Sequence, residues 1–215
     1  MGEPALEFPY RSAGHRLIAD VGADAVDPAL MPILARDIGA ALGAVHLIPE
    51  EVVRSAGVHE QDPTEAGRAE WLELEFETAF TLRGRDPVLD DALRWLARVT
   101  LPIHGFDGRF HLIHQDLGPE HLIVTPACGH LAGILDWTDA TLGDTARDFV
   151  FLKTWRGWRF AHEVLRNYPL SLDDGFAERL RFLSRLLSIM WLATASRESA
   201  DLSQQLARVR NAFAA

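Results

Sequence analysis

The stretch from His111 to Val124, HLIHQDLGPEHLIV, sets His111, His114, Asp116 and His121 among apolar residues, and a second apolar run, HLAGILDW, ends in Asp136 and Trp137. Asp116 and Asp136 lie twenty positions apart. Brought to one side of a cleft with no lysine between them, two such carboxylates repel each other. They stay ionised where a divalent cation or a donor hydroxyl sits beside them. The layout suits phosphoryl transfer, in which one carboxylate takes the proton of an attacking hydroxyl and another holds magnesium against nucleotide phosphates. The plainer reading has Asp116 capping a turn and Asp136 closing a strand. A third chemistry is zinc binding by His111, His114, Asp116 and His121, but that spacing matches no common zinc pattern and leaves ILDW unexplained.

Positioning these side chains requires short extended segments. HLIVT and HLAGILD are rich in apolar and β-branched residues and flank the turn-forming stretch PACG. They predict a hairpin over residues 121–125 and 130–136, with QDLGPE as the loop before it. That places Asp116 in a loop and Asp136 at a strand end, facing one cleft. The rest reads as helix. Asp27 caps a helix opening with Pro28, and Leu30, Ile33, Leu34, Ile38, Ala41, Leu42 and Val45 recur at helical spacing. Asp62, Pro63 and Glu65 resemble a capping box, with Gly84 as a stop after Leu82. Asp86-Pro87 opens a helix carrying Leu89, Leu93 and Leu96, and residues 173–195 and 200–214 read as helical. GVHEQDPT, residues 57–64, reads as a surface loop. The fold class is α+β, mainly helical, with a small β-hairpin carrying the site.

Composition narrows the partners. The net charge of −10 lacks the basic footprint that nucleic acid requires. No uninterrupted apolar run approaches the roughly 20 residues that span a bilayer. The N-terminus has no basic and apolar signal-peptide pattern, and the single cysteine, Cys128, forbids an intrachain disulfide. A cytoplasmic protein is expected. Trp155, Trp158 and Trp191, with Phe151 and Phe160, are candidates for a lipophilic pocket, though core is the commoner role of such aromatics. Asp90-Asp91 and Asp173-Asp174 could meet a cationic amine, but helix-start and surface roles suit them better.

The ordered pattern HQDLGPEHLIV…GILDW…GDTARDF resembles the H-G-D-x-x-x-x-N…I-D-W…G-D-P-x-x-D signature of the aminoglycoside phosphotransferase family, relatives of the protein kinases. HxDxxxxH followed by DWTDA is most similar to the macrolide phosphotransferase branch. The resemblance implies a kinase-like large lobe and transfer of a phosphoryl group from ATP or GTP, with Mg2+, to a hydroxyl of a small, cationic molecule such as an antibiotic or a metabolite. It implies that Asp116 is the catalytic base and that Asp136 and His121 hold metal. His114 and Asp148 would support the loop.

Two departures from the family pattern matter. Gln115 stands where the family has glycine, and a positive φ there would strain it. His121 stands where most members have asparagine, offering magnesium a nitrogen rather than oxygen; a purely hydrogen-bonded role for it is the alternative. The family's nucleotide lobe supplies a glycine-rich loop and a strand lysine, whereas the only lysine here is Lys153. On this resemblance residues 1–26 are a remnant of that lobe and the hinge, with Phe8 and Tyr10 near the adenine, and 27–215 are the large lobe. Arg11 or Arg16 would supply charge, without lysine's geometry. Met1–Arg11 is then expected to pair with another copy of the chain, as a homodimer, or to be poorly ordered. Little or no transfer by this chain alone is expected, even at saturating ATP and magnesium, with a non-catalytic binding or regulatory remnant as the alternative.

Overall fold

The computed structural model describes residues 21–58, 60, 74–99, 109–198 and 201–214. Strand β1 (Val21–Gly22) leads through two 3-10 turns into helix α1 (Met31–His46), followed by α2 (Glu50–Ser55), a helical stretch over residues 74–80 (α3) and α4 (Pro87–Leu96). Then come β2 (His111–Ile113), β3 (Leu122–Thr125), β4 (His130–Ile134) and β5 (Thr141–Gly143), and the long helices α5 (Ala146–Arg166), α6 (Phe176–Arg197) and α7 (Ser203–Phe213).

Local chemistry explains the boundaries. The Asp27 carboxylate accepts from Ala29 N at 2.8 Å, capping the turn that feeds α1, and Asp86 accepts from Val88 N at 2.9 Å at the start of α4. Gly84, at φ +83°, closes the turn after α3. The capping box at Asp62 and Glu65 lies outside the described residues.

The hairpin forms as expected, β3 pairing with β4 (Leu122 opposite Ile134, Thr125 opposite His130) with an irregularity between Ile123 and Val124. Its second strand ends at Ile134, earlier than the 136 read from the sequence, because Asp136 turns out of the sheet at φ +58°. β1 adds to the other edge of β3. A second antiparallel ribbon, β2 with β5, sets His111 opposite Gly143 and Ile113 opposite Thr141.

The core lies between α1, α5, α6 and α7. Leu34, Ile38 and Leu42 meet Phe149, Val150, Leu152, Ile189, Met190 and Val209, all essentially buried. Burying each such side chain contributes roughly 1.5–3 kcal/mol. The segment Pro28–His46 is long and apolar enough to cross a membrane by length and composition alone. Here its Leu34, Ile38 and Leu42 face is spent in this core, and its outer face carries the exposed Arg36.

Candidate active site

The loop after β2 carries the first carboxylate. His114 is fully buried. Its Nδ1 accepts from Asp116 N at 3.3 Å, which leaves the proton on Nε2 to donate to Leu135 O at 2.8 Å. The ring therefore ties the Asp116 loop to the strand that delivers Asp136. Gln115 adopts φ +70°, the conformation in which glycine is unstrained and glutamine is not. Its N–H donates to Asp148 Oδ1 at 2.9 Å and its side-chain amide to Asp139 O at 3.0 Å. Asp148, buried in the first turn of α5, also accepts from His114 N. Sequence reasoning gave His114 and Asp148 supporting places, and these bonds show what each touches.

His121 sits between the two site carboxylates. Its Nδ1 is 2.6 Å from the Asp116 backbone oxygen, and its ring nitrogens lie 3.7 Å from Asp116 Oδ2 and 3.9 Å from Asp136 Oδ2. With Nδ1 held by the backbone, Nε2 faces Asp136. The structure thus brings Asp116, His121 and Asp136 together.

The two carboxylates have different environments. Burial pushes the Asp116 carboxyl above the ordinary carboxylate range, with His121 pulling the other way. Asp136 is exposed, and its Oδ1 accepts from the Thr138 hydroxyl at 2.7 Å, which holds its carboxyl below that range. Asp116 is therefore the better proton acceptor and Asp136 the more persistent anion.

A cavity of about 320 Å³ opens onto Asp116, lined by Gln115, Asp139, Arg147, Phe151 and Trp191. The Phe151 and Trp191 rings pack 4.4 Å apart, and the Arg208 guanidinium lies 5.5 Å from the Trp191 ring. Of the candidate aromatics these two line the cavity. Trp155 packs on Phe160 and donates to Asp24 at 2.6 Å, and Trp158 covers the Lys153 ammonium at 4.8 Å. Asp139 and Arg147 were not foreseen as cavity residues; the sequence cue was that they stand inside DWTDA and GDTARDF.

Other expectations resolve locally. His111 Nδ1 is 2.7 Å from His46 O, and among the described residues no group of three or more His, Cys, Asp or Glu is arranged to hold a metal. Asp136 and His121 alone do not make a closed cage either. Asp136 keeps its Oδ2 outside the Thr138 bond, a hard carboxylate oxygen of the kind magnesium takes, with the His121 ring 3.9 Å from it. Asp90 accepts from Gly84 N, Asp91 pairs with Arg94, and Asp173 pairs with Arg179, so three of the four residues in the acidic pairs have structural partners. Lys153 donates to Asn211 O and Ala212 O, far from any role on phosphate. Phe8, Tyr10, Arg11, Arg16 and the expected pairing of Met1–Arg11 lie outside the described residues.

Residues 14–179 match the phosphotransferase enzyme family (APH). Over 57 residues the chain is 40% identical to an uncharacterized protein, YcbJ, of Bacillus subtilis (strain 168); the match spans 26% of this chain and 18% of that protein. Solved structures share the fold at low identity. The GDP complex of aminoglycoside 2'-phosphotransferase-IIIa aligns at TM-score 0.60 and 21% identity, covering 97% of this chain and 72% of that one. AMP-bound spectinomycin phosphotransferase aligns at 0.61 and 13%, covering 92% and 70%. Macrolide 2'-phosphotransferase MphH from Brachybacterium faecium aligns at 0.52 and 18%, covering 93% and 68%.

Proposed function

The chain belongs to the phosphotransferase enzyme family, and we propose that it transfers the terminal phosphoryl group of ATP or GTP to a hydroxyl of a small, amine-bearing molecule in the cytoplasm. One observation carries this reading: a half-buried carboxylate, Asp116, opens onto a cavity, while a second, more exposed carboxylate, Asp136, stands across His121 from it.

In the reaction, the acceptor hydroxyl lies against Asp116. Its oxygen bonds to the terminal phosphorus as the bond from that phosphorus to the bridging oxygen breaks, its proton passes to Asp116, and nucleoside diphosphate leaves. Magnesium held by Asp136 and His121 would supply positive charge against the phosphate oxygens. Thr138 fixes the orientation of the Asp136 carboxylate through Oδ1, leaving Oδ2 on the side of His121, 3.9 Å from its Nε2. Phe151 and Trp191 offer an apolar wall to the carbon skeleton of the acceptor, and Asp116 and Asp139 give the cavity its acidic side. Relatives of the same fold whose names specify aminoglycoside, spectinomycin or macrolide acceptors support an amine-bearing substrate here.

The test is acceptor-dependent release of nucleoside diphosphate, with Mg2+ and either nucleotide, across aminoglycosides, macrolides and amino alcohols, with the phosphorylated product identified by mass spectrometry. Turnover with at least one acceptor, reduced at least 100-fold by Asp116→Asn, is expected. An acceptor that binds at the cavity with no turnover at saturating nucleotide would favour a non-catalytic binding protein instead.

A further inference from the structure

Arg181 and Arg185 stand one turn apart on α6. The Arg181 guanidinium lies 5.7 Å from the Trp158 ring of α5, and the Lys153 ammonium lies 4.8 Å from the same ring. The Arg185 guanidinium lies 5.0 Å from Phe213, at the end of α7, and 5.9 Å from Trp95 of α4. Three cations therefore share one junction of four helices. The aromatic faces attract them, but a ring carries no net charge and cannot neutralise one.

Nearby arginines are treated differently. Arg179, two positions before Arg181, is held by Asp144 and Asp173; Arg197 pairs with Glu75 and Arg210 with Asp86. At the junction the pattern reverses. Burial and then the charges of Arg185 and Arg181 lower the Lys153 ammonium, and burial and then Arg181 lower Arg185. Among the described residues no carboxylate acts on either. Arg185 Nε is also buried without a hydrogen-bond partner among the described residues. A chain of net charge −10 has acids to spare, so this unbalanced patch is a local arrangement rather than a reflection of composition. Like charges gathered without a counter-charge repel, and an anion between them removes that cost.

The three groups divide the work. Lys153 is fully buried, its Nζ donating to Asn211 O and Ala212 O, so it contributes charge rather than contact. Arg181 is exposed and Arg185 half-buried, which leaves their N–H groups within reach of a ligand.

We propose that Arg181 and Arg185, backed by the charge of Lys153, form an anion site for a phosphate group, separate from the cavity at Asp116. Guanidinium forks present paired N–H donors that match the oxygens of a phosphate, and a dianion balances three positive charges better than a halide or a single carboxylate does. The phosphate is either free or the ester end of a small molecule. The site does not depend on the reaction proposed above.

The test is calorimetric titration of the full chain in magnesium-free buffer, with inorganic phosphate in one arm and glycerol 3-phosphate in the other, at ionic strength held constant with sodium chloride. One-to-one binding at about 1 mM or tighter is expected, with a matching rise in melting temperature, because a ligand of the folded chain stabilises it. The arm that binds more tightly identifies the source of the phosphate. Arg181→Gln and Arg185→Gln should each weaken binding by at least about tenfold, the loss of one charge-assisted hydrogen bond. Asp136→Asn, at the other site, should leave it within about twofold. Arg181 is exposed, so its variant keeps the fold and decides the question even if Arg185→Gln does not fold. No binding or melting shift beyond that of chloride overturns the proposal. So does equal binding by the parent and Arg181→Gln, and so does a response abolished by Asp136→Asn, which would seat the phosphate at the catalytic carboxylates.

Discussion

At the scale of single residues, the site divides its labour by solvation. Asp116 is raised by burial, so it loses its charge at a higher pH than an ordinary carboxylate; Asp136, lowered by its Thr138 hydrogen bonds, keeps its charge further into acid. The acid limb of kcat/KM should therefore follow Asp116. It should fall at a pH above the usual carboxylate value of about 4. Asp136→Asn should weaken divalent-metal binding more than Asp116→Asn does. Equal effects in calorimetric titration would remove the metal assignment. Gln115 makes a separate prediction. Its positive φ means that Gln115→Gly relieves strain, and a gain of about 1 kcal/mol in unfolding free energy is expected. A loss larger than 1 kcal/mol would mean that the amide bond to Asp139 O outweighs the strain.

At the scale of elements, close approach and a break position the site. A Cβ on Gly43 would sit 2.2 Å from Pro169 Cδ, and one on Gly39 would sit 2.5 Å from Val164 O. Each glycine costs an isolated helix about 1 kcal/mol relative to alanine, yet here it lets α1 lie directly on the end of α5, where Tyr168 meets His46. Gly43→Ala should destabilise by about 1–3 kcal/mol despite alanine's helix preference, measured by denaturant unfolding. Helix α5 breaks at Gly157, φ +76°, and the Asn211 amide of α7 donates to Thr154 O and Trp155 O at 2.9 and 2.8 Å beside the break. A Cβ on Gly157 would meet only Asn211 Oδ1, at an ordinary contact distance of 3.9 Å, so Gly157→Ala tests conformation and should cost about 1–3 kcal/mol. Asn211→Ala should cost a comparable amount by leaving both carbonyls short of a donor.

At the scale of the molecule, the chain's single lysine is buried where α5 meets the end of α7. Burial, and then the charges of Arg185 and Arg181, lower the Lys153 ammonium to about 8 from 10.5. Because the folded value is the lower one, the unfolded chain binds more protons between those two pH values. Stability from this group therefore rises as pH climbs from about 8 to about 10.5, and the full penalty applies below 8. Melting of the parent relative to Lys153→Met should thus improve between pH 7 and pH 10. A flat or falling difference would show that the ammonium is better solvated than its packing against Trp158 and the α7 carbonyls suggests.

What the sequence determined by itself is what neighbouring residues decide. Asp27 and Asp86 cap because their carboxylates reach amides two positions on, and the β3–β4 hairpin follows from two apolar runs around PACG. The ordered pattern around Asp116, His121 and Asp136 was readable for the same reason, and so was the question over Gln115, whose positive φ depends on one backbone position. The β2–β5 ribbon was not readable, since three-residue strands carry too little periodicity and pair across an intervening hairpin. Nor did periodicity say which aromatics would leave the core: Phe151 and Trp191 face Asp116, while Trp155 and Trp158 do not, because the packing of α5 on α6 and α7 sets which side of each helix meets the cavity. The contact of His46 with Asp148 spans 102 positions, and only the approach of α1 to α5, permitted by Gly39 and Gly43, brings it about. Chemistry held in adjacent residues can be read along a chain; chemistry that depends on how helices pack is decided by the volume and shape of the surfaces that meet.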